Sequence, residues 1–148
     1  MPLPIPERIA KAHAGTNPTV ISRMPSGWAV MCDMQFLPGY IIHLADPVIA
    51  TINDLDPEGR QRYLADMVLI GDALLEATEA YRINYTIAGN RDPYLHAHII
   101  PRYLSEPEQY RTGLPWSYPR EVMDGRPFDP ERDRGLMEKL AQAIQKRL

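Results

Sequence analysis

One stretch, from Asn84 to Tyr103, constrains the fold of this chain more than any other. It reads as two short strands joined by a loop over 89–93, whose glycine, asparagine and proline are turn-forming residues. Side chains of a strand alternate between its two faces. The second strand is therefore predicted to present four side chains on one face: Tyr94, His96, His98 and Ile100. Two histidines on one strand face, backed by an apolar face, favour a functional site over packing histidines.

Composition limits the class of protein. A chain of 148 residues with 45% hydrophobic content can bury one core, so we predict a single domain over 1–148. A net charge of -3 provides no basic field for non-specific nucleic-acid binding, so a small-molecule partner and no stable nucleic-acid partner are expected. Cys32 is the only cysteine, which excludes an intramolecular disulfide and suits a reducing cytoplasm. No run approaches the roughly 20 apolar residues of a membrane helix, so no membrane partner is expected.

Strands and helices alternate along the chain. A short helix over Glu7–Ala14 precedes three predicted strands over 19–24, 28–34 and 40–45, which are separated by proline–glycine turns. Asp56 and Pro57 then give the signal for the start of a long helix that we predict to end near Ala80. Three apolar side chains widen its predicted core stripe: Leu64, Val68 and Leu75.

The last third of the chain is rich in proline. Residues 104–129 are predicted to form an irregular loop packed on the body, with Trp116, Tyr118 and Phe128 near the rim of the site. Asp129 and Pro130 predict the start of a C-terminal helix over 130–147. The order of elements along the chain is strands, helix, strands, loop and helix. This order indicates an α+β domain with an antiparallel sheet and a core over about 19–103.

Residues 94–102, Y-L-H-A-H-I-I-P-R, resemble the signature of the histidine triad (HIT) superfamily, His-φ-His-φ-His-φ-φ with φ apolar. His96 and His98 match its second and third histidines, whereas Tyr94 stands at the first. Upstream, P-G-Y-I-I-H-L at 38–44 resembles the Pro-Gly-His strand of that family, with Tyr40 in place of the histidine. The resemblance covers about residues 26–103. It implies a sheet of about five antiparallel strands, one long helix packed on it, a C-terminal helix and a homodimer.

The resemblance also implies a reaction that needs no metal or other cofactor. His96 would attack the α-phosphorus of a nucleotide phosphoramidate or a dinucleoside polyphosphate, leaving a nucleotidyl-histidine that water hydrolyses. His98, about 7 Å further along the strand, would donate a hydrogen bond to the reacting groups. Asn90 is a second candidate donor, although it could equally be only a turn residue. Tyr94 would preserve the hydrogen-bonded geometry without relaying protons, and we expect Tyr94 and Tyr40 to lie near each other or near His96.

Four further residues are assigned to nucleotide binding: Asp33, Tyr40, Ile42 and Arg102. Asp33 matches the position from which HIT proteins bind the ribose hydroxyls, and Ile42 would line the base pocket. Arg102 could reach phosphate or only pair with a surface carboxylate.

The sequence is also compatible with two other functions. The protein could bind nucleotide with little turnover, because Tyr94 replaces a histidine. Alternatively, His96 and His98 could bind zinc together with a third ligand: Asp33, His43 or Cys32.

Overall fold

The computed structural model describes residues 2–148 and contains a five-stranded sheet in which all neighbouring strands are antiparallel. Its order is β1-β2-β3-β5-β4. The strands are β1 (Val20–Met24), β2 (Gly27–Met31), β3 (Ile41–Ala45), β4 (Arg82–Thr86) and β5 (His96–Arg102). The predicted α+β class and the sheet of five strands are therefore confirmed. Strand β5 starts two residues later than expected, so Tyr94 lies just before it.

Five helices flank the sheet: α1 (Ile5–Ala14), α2 (Pro57–Ala77), α3 (Glu108–Arg111), α4 (Arg120–Asp124) and α5 (Arg134–Gln145). The carboxylate of Asp56 accepts the Gly59 amide at 2.7 Å and starts α2 as predicted. Helix α2 ends at Ala77, before the predicted end, and the Thr78 hydroxyl caps the Leu74 carbonyl at 2.6 Å. Among residues 2–148, no helix combines the length and the apolar character needed to cross a bilayer.

Helices α2 and α5 cover one face of the sheet and build the main core. Ile70 and Leu74 of α2 are buried there, as predicted. Tyr63 is also buried, in a neighbouring cluster with Leu95 and Ala97. The assignment of three other side chains to this core is wrong, because they are 41%, 47% and 45% exposed: Leu64, Val68 and Leu75. A helix lying on a sheet buries a single stripe, and these residues lie on a second stripe that is left exposed.

The other face of the sheet carries α1 at one end and the proline-rich segment at the other. Ile5 and Ile9 of α1 pack against Val30 and Leu44 of the sheet. The segment over 104–129 is not an irregular loop, because it contains α3, a 3₁₀ turn (Pro115–Ser117) and α4. This face between α1 and the segment is where β5 presents its histidines.

The C-terminal helix begins later than the sequence predicts. The Asp129 carboxylate accepts the amides of Glu131 and Arg132, which makes a turn instead of the first turn of the helix. Asp133 takes the N-terminal position, and α5 runs from Arg134 to Gln145. The Asp129–Pro130 pair therefore marks a turn four residues before the helix.

Candidate active site

His96 lies at the start of β5 and is oriented by the backbone just before it. Its Nδ1 is 2.7 Å from the carbonyl oxygen of Tyr94. A carbonyl oxygen only accepts hydrogen bonds, so Nδ1 carries the proton and donates it. In the neutral form of the ring, this leaves a free lone pair on Nε2. A nitrogen with an available lone pair, held by a fixed backbone contact, is suited to attack an electrophile.

His98 follows two residues later on the same face, as predicted. The two imidazole centroids are 5.0 Å apart. The Tyr40 hydroxyl lies 2.6 Å from Nδ1 of His98. Burial, with a smaller contribution from neighbouring His96, lowers the pKa of His98 to about 4. His98 is therefore a neutral imidazole at pH 7. Tyr40, which we expected near Tyr94 or His96, contacts His98.

Trp116, on the 3₁₀ turn of the proline-rich segment, closes the site beside His98. Its ring meets the His98 imidazole edge-on, with centroids 5.5 Å apart and an interplanar angle of 90°. The side chain is 38% exposed, so part of the indole faces solvent next to the histidine. The predicted packing of this segment at the rim of the site is therefore found for Trp116, although the sequence did not identify Trp116 as a site residue.

Arg102 has a different role from the nucleotide-binding one assigned to it. The side chain is only 2% exposed and forms a two-pronged ion pair with Glu106, at 3.0 and 3.1 Å. Its remaining hydrogens bond the Asn84 side chain and the carbonyls of Tyr110 and Gly113 at 2.7 to 2.8 Å. No donor is left for a phosphate, because every part of the guanidinium is engaged. Arg102 anchors the segment that carries Trp116.

The side chain of Tyr94 does not join the histidines. Its ring packs with the apolar cluster of Ile5, Ile9 and Leu44 under α1. Only its backbone carbonyl serves the site, so the role predicted for its hydroxyl is wrong. Asn90 lies exposed in the β4–β5 loop and makes none of the hydrogen bonds found among residues 2–148. The structure therefore does not bring Asn90 to the histidines.

Two predicted nucleotide-binding residues lie on the face that carries the histidines. Ile42 of β3 stands directly opposite His98 in the sheet and is partly exposed. The carboxylate of Asp33 is paired with Arg8 of α1 at 2.6 Å and has a side-chain exposure of 49%. It therefore retains free lone pairs for a hydroxyl donor. Arg8 was not predicted, since an arginine in a short helix carries no distinctive signal.

The arrangement does not favour zinc. Among residues 2–148, no three His, Cys, Asp or Glu side chains are grouped closely enough to hold a metal ion. His43 points to the opposite face of the sheet, where its ring stacks on Tyr63 at 4.1 Å. Burial lowers its pKa to about 3. Burial also raises the pKa of Cys32 to about 12, so its thiol stays protonated and is a poor ligand.

Comparisons with known proteins agree on the fold. A histidine triad protein from Sinorhizobium meliloti 1021 superimposes with a TM-score of 0.69 at 22% identity, over 87% of this chain and 88% of that one. The hypothetical histidine triad nucleotide-binding protein from Sulfolobus tokodaii strain7 gives a TM-score of 0.71 at 13% identity, over 95% and 92%. This chain has the histidine triad fold. A Zn-bound histidine triad family protein from Mycobacterium smegmatis gives a TM-score of 0.65 at 16% identity, over 95% and 96%.

Neither a family model nor a curated protein matches the sequence. The resemblance seen in the motif is thus confirmed through the fold. In this fold, His96 and His98 are neighbours on β5, and the resemblance places tyrosines at two other histidine positions. One of these tyrosines, Tyr40, bonds to His98, whereas the other packs under α1.

Proposed function

We propose that the protein is a HIT-like nucleotide hydrolase or nucleotidyl transferase that acts at the α-phosphorus of a nucleotide. The observation that carries this proposal is the hydrogen bond from His96 Nδ1 to the Tyr94 carbonyl, because it leaves Nε2 as a fixed nucleophile. Nucleotide binding without chemistry does not require such a nitrogen. The exposed lone pairs of Asp33, on the same face, support recognition of a ribose.

The proposed reaction has two steps. In the first, the lone pair of His96 Nε2 forms a bond to the α-phosphorus while the bond to the leaving group breaks. His98 Nε2 donates a hydrogen bond that stabilises charge on the reacting oxygens. In the second step, water displaces the histidine and releases the nucleoside monophosphate. We place this reaction in the cytoplasm, since the buried thiol of Cys32 suits a reducing compartment.

Trapping the intermediate tests the proposal. The purified protein is mixed with a diadenosine polyphosphate in the presence of a chelator and quenched in alkaline denaturant, where a phosphorus–nitrogen bond survives. We expect release of AMP, together with an intact mass increased by one adenylyl group that peptide mapping assigns to His96. Release of AMP without an adduct on His96 would refute the mechanism.

A nucleotide-binding protein with little turnover is the second candidate. It is favoured by the packing of Tyr94 away from the histidines, which removes one member of the hydrogen-bonded string of the family. Saturable binding of AMP with neither adduct nor product would establish this function in place of the first.

We further propose that the protein is a homodimer formed through β4 and α2. Strand β4 lies at the edge of the sheet and pairs only with β5. The Ala45 amide donates a hydrogen bond to the Leu95 carbonyl. Backbone groups of successive strand residues point to alternate sides, so odd-numbered residues of β5 bond to β3 and even-numbered ones bond to β4. The backbone groups of Ile83 and Tyr85 therefore face the open edge, ready to pair with another strand.

The exposed stripe of α2 continues this edge and is self-complementary. Leu64 and Leu75 of α2 are equally distant along the helix from the midpoint between them, at 69–70. In an antiparallel pair of α2 helices centred on this midpoint, Leu64 of one copy would meet Leu75 of the other. Tyr85 of β4 lies against Gly71 of α2 near this midpoint. A single two-fold axis there would pair both β4 and α2 with the same elements of a second copy.

Val68, in the middle of the stripe, provides the test. Val68→Glu is expected to weaken the dimer about 100-fold or more, because two buried like charges would face each other without partners. Light scattering during size-exclusion chromatography measures the mass of the native and variant proteins. Val122→Glu, at an equally exposed valine of α4, is the matched control and should stay dimeric. A native protein that is monomeric at every concentration would contradict the proposal.

A further inference from the structure

The hydrogen bond between Tyr40 and His98 determines which nitrogen of His98 carries the proton. Tyr40 is fully buried, at 0% exposure, and its oxygen lies 2.6 Å from Nδ1. Burial raises the pKa of Tyr40 far above its usual range, so the phenol keeps its proton at any working pH. A hydroxyl can either donate or accept, so the direction of this bond depends on the other groups around Tyr40.

The neighbours of Tyr40 determine that direction. The Tyr40 hydroxyl makes no other hydrogen bond among residues 2–148. A buried hydroxyl hydrogen needs an acceptor, and Cys32 offers only a weak sulfur one. Nδ1 of His98 is the strong acceptor within reach. Tyr40 therefore donates to Nδ1, and the proton of the neutral imidazole lies on Nε2.

This tautomer limits the chemistry of His98. A neutral imidazole donates a hydrogen bond through Nε2–H, but its N–H is a very weak acid and does not give up the proton. A general acid would have to be the imidazolium, which needs a second proton on Nδ1. That nitrogen faces the Tyr40 hydroxyl hydrogen in a buried site. Burial and the nearby His96 oppose the same protonation.

We propose that the protein selects nucleotides whose leaving group departs as a stable anion, such as an α-phosphoric anhydride, and discriminates against phosphoramidates. The inference rests on the proposed function. When the P–O bond of an anhydride breaks, the electron pair stays on an oxygen that needs only a hydrogen bond from His98. When a P–N bond breaks, the nitrogen must receive a proton to leave as ammonia or an amine, and His98 has none to give.

Two substrates of similar size measure this preference. Adenosine 5′-phosphosulfate loses sulfate, whereas adenosine 5′-phosphoramidate loses ammonia, and both yield AMP through the same adenylyl-His96. We expect kcat/KM to be about 100-fold or more lower for the phosphoramidate, the usual contribution of a general acid. Tyr40→His and Tyr40→Phe remove the hydroxyl that donates to Nδ1 of His98. In these variants the ratio of kcat/KM between the two substrates should fall by about tenfold or more. Nitrogen-15 NMR of His98 reads the tautomer independently of activity.

Each outcome bears on the inference. A protonated Nε2 with a bare Nδ1, together with the predicted ratio, supports it. A proton on Nδ1, or equal rates for both substrates, overturns it even when His96 forms the adduct. If neither substrate reacts while NMR shows the Nε2–H tautomer, the proposed function fails and the substrate preference is overturned with it.

Discussion

His96→Ala is expected to lower kcat for AMP release by about 10³-fold or more, because it removes the attacking atom of the proposed reaction. The effect should be on kcat and much less on nucleotide affinity, since Asp33 and Ile42 are unchanged. His96 contacts the Tyr94 carbonyl and little else through polar atoms. We therefore expect the variant to fold, and the measurement is steady-state kinetics with a binding titration beside it.

Two other histidine variants serve as comparison. His98→Gln keeps a hydrogen-bond donor and should lose less activity, about 10²-fold, in line with the removal of one well-placed donor. His13→Ala is the matched control, because this exposed histidine of α1 bonds Asp46 outside the site. A His96→Ala protein that retains more than about a tenth of native kcat would show that another group is the nucleophile.

The sequence predicted the part of the site that depends on alternation along a strand. His96 and His98 share a face because successive side chains of a strand alternate between its faces. The pairing of Ile42 with His98 depends on the register between β3 and β5, which the sequence did not predict. The Pro-Gly-His resemblance placed Tyr40 near Tyr94 or His96, whereas in the structure its hydroxyl bonds His98.

The remaining features depend on tertiary contacts that no local pattern encodes. Leu64, Val68 and Leu75 have the helical spacing of core residues, yet the sheet is only wide enough to bury one stripe of α2. Trp116 reaches His98 across a segment that shows no periodicity. The sequence could not distinguish a phosphate-binding Arg102 from a buried one, because its partners lie four to eleven residues away in the same proline-rich segment.

Arg102→Met is expected to lower the free energy of unfolding by about 3 to 5 kcal/mol, the usual result of removing one partner of a buried ion pair. The variant leaves Glu106 without its guanidinium partner. Burial alone would raise the pKa of Glu106, but the hydrogen bonds from Arg102, the Tyr103 amide and Tyr118 lower it below its usual value. Without Arg102 the carboxylate therefore loses much of what keeps it charged.

The loss of the Arg102 hydrogen bonds should also change the active site. Arg102 holds the carbonyls of Tyr110 and Gly113, a few residues before Trp116. Freed from this anchor, the segment should separate Trp116 from His98, and the fluorescence of Trp116 in a Trp28→Phe background should shift to longer wavelength. Urea unfolding of Arg102→Met, Glu106→Leu and the double variant measures the coupling. We expect the double variant to be more stable than Arg102→Met, because no uncompensated charge stays buried, whereas additive losses would show that the ion pair does not anchor this segment.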